Sequence, residues 1–242
     1  AQGLQLEGDQ LVYAGLADPA ARLVFATLGG NIKRVAMEDA LKGVEASWAM
    51  IIGLDEEDQV VFAGAGSDEA HIFLYSEGAT GESKLLRFPA SAVNPQATPS
   101  ARGMAGIKLP EGEAVRGGLL FEPGSDKKAV VLMTTEGLIR RDGLDEFPIQ
   151  GRAGQGVQIL KVTDATGPMA GAALVGTDSS IDVFSVKSKR LRLEYKEVPS
   201  GKRAHPGVSL RKQVRDLFGG ESLMRVVALD KTGTITRARP EV

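Results

Sequence analysis

A unit of about fifty residues recurs along this chain, and self-similarity at that period confines the fold to stacked or radially arranged supersecondary units. The third copy is the clearest. An apolar run, Ala129 to Thr135, reaches a turn at Gly137, and a second run ends in the basic pair Arg140-Arg141. A polar loop with Gly151-Arg152-Ala153-Gly154-Gln155-Gly156 then enters a third run, Val157 to Val162, and a fourth, Met169 to Val175, leads into the next copy. Short runs of apolar and β-branched residues separated by glycine turns predict strands. The same order recurs around Leu23–Arg34, His71–Arg87 followed by Gly106-Ile107-Lys108-Leu109, and Ile181–Arg192 followed by Gly207-Val208-Ser209-Leu210. One basic residue keeps the period: Arg34, Arg87, Arg141, Arg192 and Arg237 are separated by 53, 54, 51 and 45 positions.

The fifth copy is half a unit. Met224 to Leu229 and Thr234 to Arg237 read as its first two strands, and Gly3-Leu4-Gln5-Leu6 resembles Gly106-Ile107-Lys108-Leu109 closely enough to complete it. A ring closed that way leaves no open sheet edge. The expectation is an all-β, propeller-like fold of about five four-stranded blades. It spans residues 1–242 as a single domain, closed by pairing of N- and C-terminal segments. Leu210, Val214, Leu217 and Phe218 keep a helical period up to Gly219-Gly220 and read as an insertion in the fourth blade. Trp48 and the run Ala49-Met50-Ile51-Ile52 read as core.

Composition narrows the chemistry. Thirty glycines in 242 residues suit many tight turns, and the absence of cysteine excludes disulfides, thiolate metal sites and a cysteine nucleophile. His71 reads as a packed or edge histidine and His205 as turn filler in a basic loop. No catalytic set, cofactor site or metal-ligand spacing stands out, and no apolar run approaches a membrane span, which places the expected compartment in the cytoplasm. The formal charge of −2 hides a division: residues 187–242 hold 14 Lys and Arg against 6 Asp and Glu, a net +8, and the remainder carries −10. A basic segment on an acidic chain suits a polyanion partner, and it equally suits cationic strand edges that discourage aggregation.

The strand-Gly-x-[Ile/Leu]-[Lys/Arg]-Arg element (Gly30 to Arg34, Gly137 to Arg141) is followed by the loop Asp145-Glu146-Phe147 leading to Gly151–Val157 and by the Gly-Val strand at Gly207-Val208. In that order these pieces resemble the C-terminal domain of the A subunit of bacterial type IIA topoisomerases, DNA gyrase and topoisomerase IV. The resemblance covers almost the whole chain and implies a β-pinwheel whose rim binds and bends duplex DNA. The wrapping box of gyrase, of the type Gln-Arg-Arg-Gly-Gly-Lys-Gly, has no match at Leu41–Trp48, and Gln150–Gly156 is its nearest relic, with one arginine. That departure points to topoisomerase IV or a divergent gyrase. The implied partners are duplex DNA, the cleavage core of the same topoisomerase and, through it, the ATPase subunit, with nucleoid association and no membrane. The DNA-cleaving tyrosine belongs to a separate region in that family, so Tyr13, Tyr75 and Tyr195 are not nucleophiles here.

The residues expected to contact DNA are Lys33, Arg34, Arg87, Arg140, Arg141, Arg152, Lys187, Lys189, Arg190, Arg192, Lys202, Arg203, Arg211, Lys212 and Arg237, with the glycine loop 151–156 offering backbone N–H groups to phosphate. Aromatic residues are 5% of the chain, too few for a single-strand stacking platform. The alternative is a protein-interaction propeller with no nucleic-acid role. Asp230-Lys231-Thr232-Gly233-Thr234 matches the phosphorylated-aspartate signature of P-type ATPases, but the nucleotide domain and membrane sector such chemistry needs are missing from this sequence, and the run reads as a hairpin turn.

Overall fold

The chain alternates antiparallel hairpins with single strands that pair outside their own hairpin, and that alternation generates the architecture. A computed structural model describes residues 11–42, 49–78, 81–201, 208–209 and 221–229. The strands in chain order are β1 (Arg22–Thr27), β2 (Asn31–Ala36), β3 (Val60–Gly66), β4 (His71–Gly78), β5 (Glu82–Pro89), β6 (Met104–Ala105), β7 (Glu113–Phe121) and β8 (Lys127–Thr134). They continue with β9 (Leu138–Gly143), β10 (Val157–Lys161), β11 (Met169–Gly176), β12 (Ser180–Ser185), β13 (Arg190–Glu194), β14 (Val208–Ser209) and β15 (Leu223–Leu229). A single-turn helix, α1 (Met37–Leu41), follows β2 where no helix is predicted.

Among the described residues the strands form four sheets, ordered β3-β1-β2-β6, β7-β4-β5-β10, β11-β8-β9-β14 and β15-β12-β13. Each of the first three sheets is completed by a strand that follows the next sheet's hairpin: β6 follows β5 but pairs with β2, β10 follows β9 but pairs with β5, and β14 follows β13 but pairs with β9. Glycine permits the close approach this exchange demands. Gly103 (φ 85°) and Gly156 (φ 75°) lead into β6 and β10; a Cβ at Gly103 would run into the Ile32 carbonyl oxygen, and one at Gly156 would lie 2.8 Å from that of Leu85.

Successive blades share their cores. Val24, Ala26 and Ile32 pack on Ile72, Leu74 and Leu86; Phe73 and Leu85 pack on Val130 and Leu132; Val131, Met133 and Ile139 pack on Ile181, Val183 and Leu193. Both faces of a middle blade are therefore buried, which explains why β8 is almost continuously apolar instead of alternating.

Several expectations shift. The exchanged strand of the second copy is Met104–Ala105, just upstream of Gly106–Leu109. Met224–Leu229 does not open a fifth blade: in β15 it pairs with β12, Ile181 opposite Ala228, the place that β11 takes beside β8. A mostly apolar run of that kind is compatible with either position, and only pairing separates them. Ala49 to Ile52 is not core. Ala49 and Met50 are exposed, Met50 at 66%, and Ile51 serves through its carbonyl oxygen, which accepts a bond from Lys33. Trp48, the N-terminal strand Gly3–Leu6, the helical stretch 210–218 and the 230–236 motif lie outside the described residues. Among the described residues no helix is long and apolar enough to cross a membrane.

Candidate nucleic-acid interface

Among the described residues, three of the periodic arginines, Arg34, Arg87 and Arg141, are engaged within the fold. Each of the first three latches its blade to the loop that follows the next blade's hairpin. The Arg34 carbonyl accepts the Gln96 N–H at 2.8 Å, that of Arg87 accepts Gln150 N–H at 2.8 Å, and that of Arg141 accepts Gly201 N–H at 2.9 Å. The side chains strengthen two of these latches. Arg87 donates Nη1 to the Leu144 and Phe147 carbonyls and Nε to His71 Nδ1, with its guanidinium 5.4 Å and 5.6 Å from the Phe73 and Phe121 rings. Burial, and then the Arg87 charge, hold the His71 pKa below its ordinary value, which keeps Nδ1 available as an acceptor. Arg141 donates to the Val198 carbonyl and the Tyr195 hydroxyl and stacks 4.2 Å over the Tyr195 ring. Arg34 turns to Asp68 at 2.7 Å.

Their neighbours are buried more deeply. Lys33 Nζ donates to the carbonyls of Ile51, Thr98 and Pro99, and burial pushes its pKa below the usual lysine value. Arg140 donates Nε to both oxygens of buried Asp142 and Nη2 to the Ile159 carbonyl. The surface placement expected of Lys33, Arg34 and Arg140 is therefore overturned. Arg152 is half-buried and ties two segments together through the Ala92 and Ala105 carbonyls. In the glycine loop the Ala153 N–H donates to Gly106 and that of Gly154 to Gly151, so those two amides are engaged within the fold. Lys202, Arg203, Arg211, Lys212 and Arg237 lie outside the described residues.

The fourth blade differs. The residue opposite the periodic arginine is Val24, Phe73 and Val131 in the first three blades and Asp182 in the fourth. Two positions before that arginine stand Ile32, Leu85 and Ile139, and then Arg190. These positions share one sheet face, because cross-strand partners and alternate residues point the same way. The face that carries the next blade's core in three cases is charged in the fourth. The opposite face, Ile181, Val183, Leu193 and Val226, stays apolar and packs on the third blade. Phe184 lies between Arg190 on β13 and Arg225 on β15, which brings Arg225 into the same face.

Lys187, Lys189, Arg190 and Arg192 are 44–73% exposed around two carboxylates. Asp182 accepts Arg192 Nε and Nη2 at 2.7 and 2.9 Å and lies 3.7 Å from Arg190; Glu221 lies 2.8 Å from Lys189 and 3.8 Å from Lys187. The Arg192 bonds hold Asp182 below the usual carboxylate range, and the Lys189 and Ser185 bonds do the same for Glu221. Arg225 and Lys196, both exposed, extend the basic surface and are not among the predicted contacts. The signal for Arg225 is a lone cation inside an otherwise apolar strand, Leu223 to Leu229.

The hairpin that carries this cluster is locally strained. In three hairpins the last hydroxyl of the first strand accepts an N–H across the turn: Thr27 from Asn31, Thr134 from Leu138, Ser185 from Lys189. The turn residue before that N–H is left-handed in each, as Gly30 (φ 88°), Gly137 (φ 83°) and Ser188 (φ 61°). A left-handed residue with a Cβ costs about 1–2 kcal/mol, partly offset in a glycine exchange by unfolded-chain entropy. Ser188→Gly is expected to raise stability by about 0.5–1 kcal/mol, read from urea unfolding; an unchanged or lower midpoint would contradict the strain.

Tyr75 is half-buried, its hydroxyl pushed up to about 12 by burial and then by Glu77, and Tyr195 lies under Arg141. Tyr13 borders an apolar cavity of about 230 Å³ with Phe62, Leu120 and Val227, where the inner strands β3, β7 and β15 converge with β11.

Hairpin blades that exchange their outer strand and share cores in series define a β-pinwheel. The family model described as DNA gyrase C-terminal domain, beta-propeller, matches residues 79–121 and 128–165. The gyrase A protein of Deinococcus deserti is 31% identical over 204 residues, 83% of this chain and 24% of that protein. The gyrase A protein of Lawsonia intracellularis is 29% identical over 189 residues, 78% of this chain and 22% of that protein. Among solved structures, the C-terminal domain of DNA topoisomerase IV superposes with a TM-score of 0.74 at 21% identity, covering 88% of this chain and 63% of that one. The DNA gyrase A C-terminal domain gives 0.73 at 21% identity, covering 87% and 66%. The chain belongs to the family of C-terminal β-pinwheel domains of the A subunit of bacterial type IIA topoisomerases. It spans about a quarter of the length of the curated relatives it matches.

Proposed function

We propose that this pinwheel domain binds duplex DNA without sequence preference through the charged face and hairpin of its fourth blade. There it would steer and bend a DNA segment for a type IIA topoisomerase, of the topoisomerase IV or divergent gyrase kind, whose cleavage core and ATPase subunit are its protein partners. The observation that carries the reading is the change of that face from apolar to cationic. Arrays need a polar terminal face for solubility, yet either sign of charge would serve that end. Here Lys187, Lys189, Arg190, Arg192 and Arg225 stand against Asp182, Glu194 and Glu221, a surplus of positive charge. Phosphates attract such a surplus through counterion release, with no base contact required.

The test is fluorescence anisotropy with a duplex of about 40 base pairs between 50 and 300 mM salt. Binding with a negative log–log slope of several units supports the reading. No binding at 50 mM overturns it in favour of a protein-interaction propeller.

A further inference from the structure

Two carboxylates sit where a phosphate-binding surface would do better without them. Asp182 is 5% exposed and occupies the slot held by Val24, Phe73 and Val131 in the other blades; Glu221 is 11% exposed and bridges the base of the hairpin. Neither is needed to bury an apolar core, and each engages cations that are themselves largely exposed. On the reading that this face binds DNA, we propose that Asp182 and Glu221 are built-in counter-anions. They compete with phosphate for Arg192 and Lys189 and hold the domain's DNA affinity down.

The physical basis is the ion atmosphere. An unpaired surface cation that meets a phosphate displaces a condensed counterion, and affinity then falls with salt by about 0.9 log unit per log unit for each phosphate neutralised. A cation already held by a protein carboxylate must first exchange that partner, so it adds little to either affinity or slope. Arg192 is gripped by two short bonds and Lys189 by one, whereas Arg190 and Lys187 stand 3.7 and 3.8 Å from the same carboxylates. The less tightly held cations would supply the present slope, with Arg192 and Lys189 in reserve.

The two carboxylates could instead act only by positioning those cations, and that possibility predicts the opposite sign. Asp182→Asn and Glu221→Gln preserve shape and hydrogen bonding while removing charge. With the 40-base-pair duplex at 100 mM salt, each is expected to tighten binding about eight-fold and steepen the salt slope by about 0.9, the contribution of one further phosphate contact. Urea unfolding of both variants confirms that the compared proteins are folded, and Glu221→Gln stands alone if Asp182→Asn does not fold. Wild-type binding with unchanged or weaker binding by the folded variants overturns the counter-anion role and leaves the DNA reading intact. No binding by wild type or variant overturns both.

Discussion

Replacing Arg140 by alanine is expected to cost about 3–5 kcal/mol of stability, the largest loss expected from any of the periodic basic pairs. Arg140 and Asp142 are 3% and 0% exposed, and the guanidinium places Nε against both carboxylate oxygens while Nη2 reaches the Ile159 carbonyl on the exchanged strand β10. Truncation removes this cation from a buried carboxylate and an N–H from a buried carbonyl, and breaking one side of such a pair typically costs that much. The double substitution Arg140→Met, Asp142→Ala removes both charges together and should recover part of the loss, because an apolar pair needs no desolvation of ions. Urea unfolding of the three proteins decides it. A single variant within about 1 kcal/mol of wild type would show that the pair is dispensable.

Replacing Lys187, Arg190 and Arg225 together by alanine is expected to act in the opposite way, on DNA rather than on the fold. Lys187 and Arg190 lie 3.8 and 3.7 Å from their nearest carboxylates, and Arg225 is exposed beside Phe184 in the same face. Losing three phosphate contacts should weaken duplex binding by about 500-fold at 100 mM salt and flatten the log–log slope by about 2.7. Exposed substitutions of this kind usually shift stability by no more than about 0.5 kcal/mol each. Wild-type affinity in the folded triple variant would place the DNA surface elsewhere. Arg87→Ala makes the complementary control: its partners are Leu144, Phe147 and His71 inside the fold, so it should lower the unfolding midpoint and leave the salt slope of the folded protein unchanged.

These substitutions separate residues that the sequence alone groups together. Arg34, Arg87, Arg141 and Arg192 are equivalent by period, and a period reports that a position serves every unit in the same way. It does not say whether that service is to a ligand or to the neighbouring unit. For the first three it is to the neighbour, through backbone bonds to residues 96, 150 and 201. Arg192 instead pairs with Asp182 across its own sheet. Lys33 and Arg140 mislead for a related reason. A basic residue at a strand's end suggests exposure, but Lys33 is covered by the segments that bring the Ile51, Thr98 and Pro99 carbonyls to its Nζ, and Arg140 lies in a blade packed on both faces, where it reaches Asp142 and the Ile159 carbonyl.

The sequence by itself determined the strand-rich class, the repeat, the hairpin turns and the basic bias of the later residues, because these depend on local periodicity, turn chemistry and charge. It also carried the family resemblance, since the ordered motifs are local strings. Only the tertiary structure decided that β6, β10 and β14 belong to the preceding blades and that β15 belongs with β12. It likewise decided which cations are interior and which face outward beside Asp182 and Glu221. These strand pairings join residues roughly 40 to 80 positions apart, and no window short enough to show a strand's period can contain both partners.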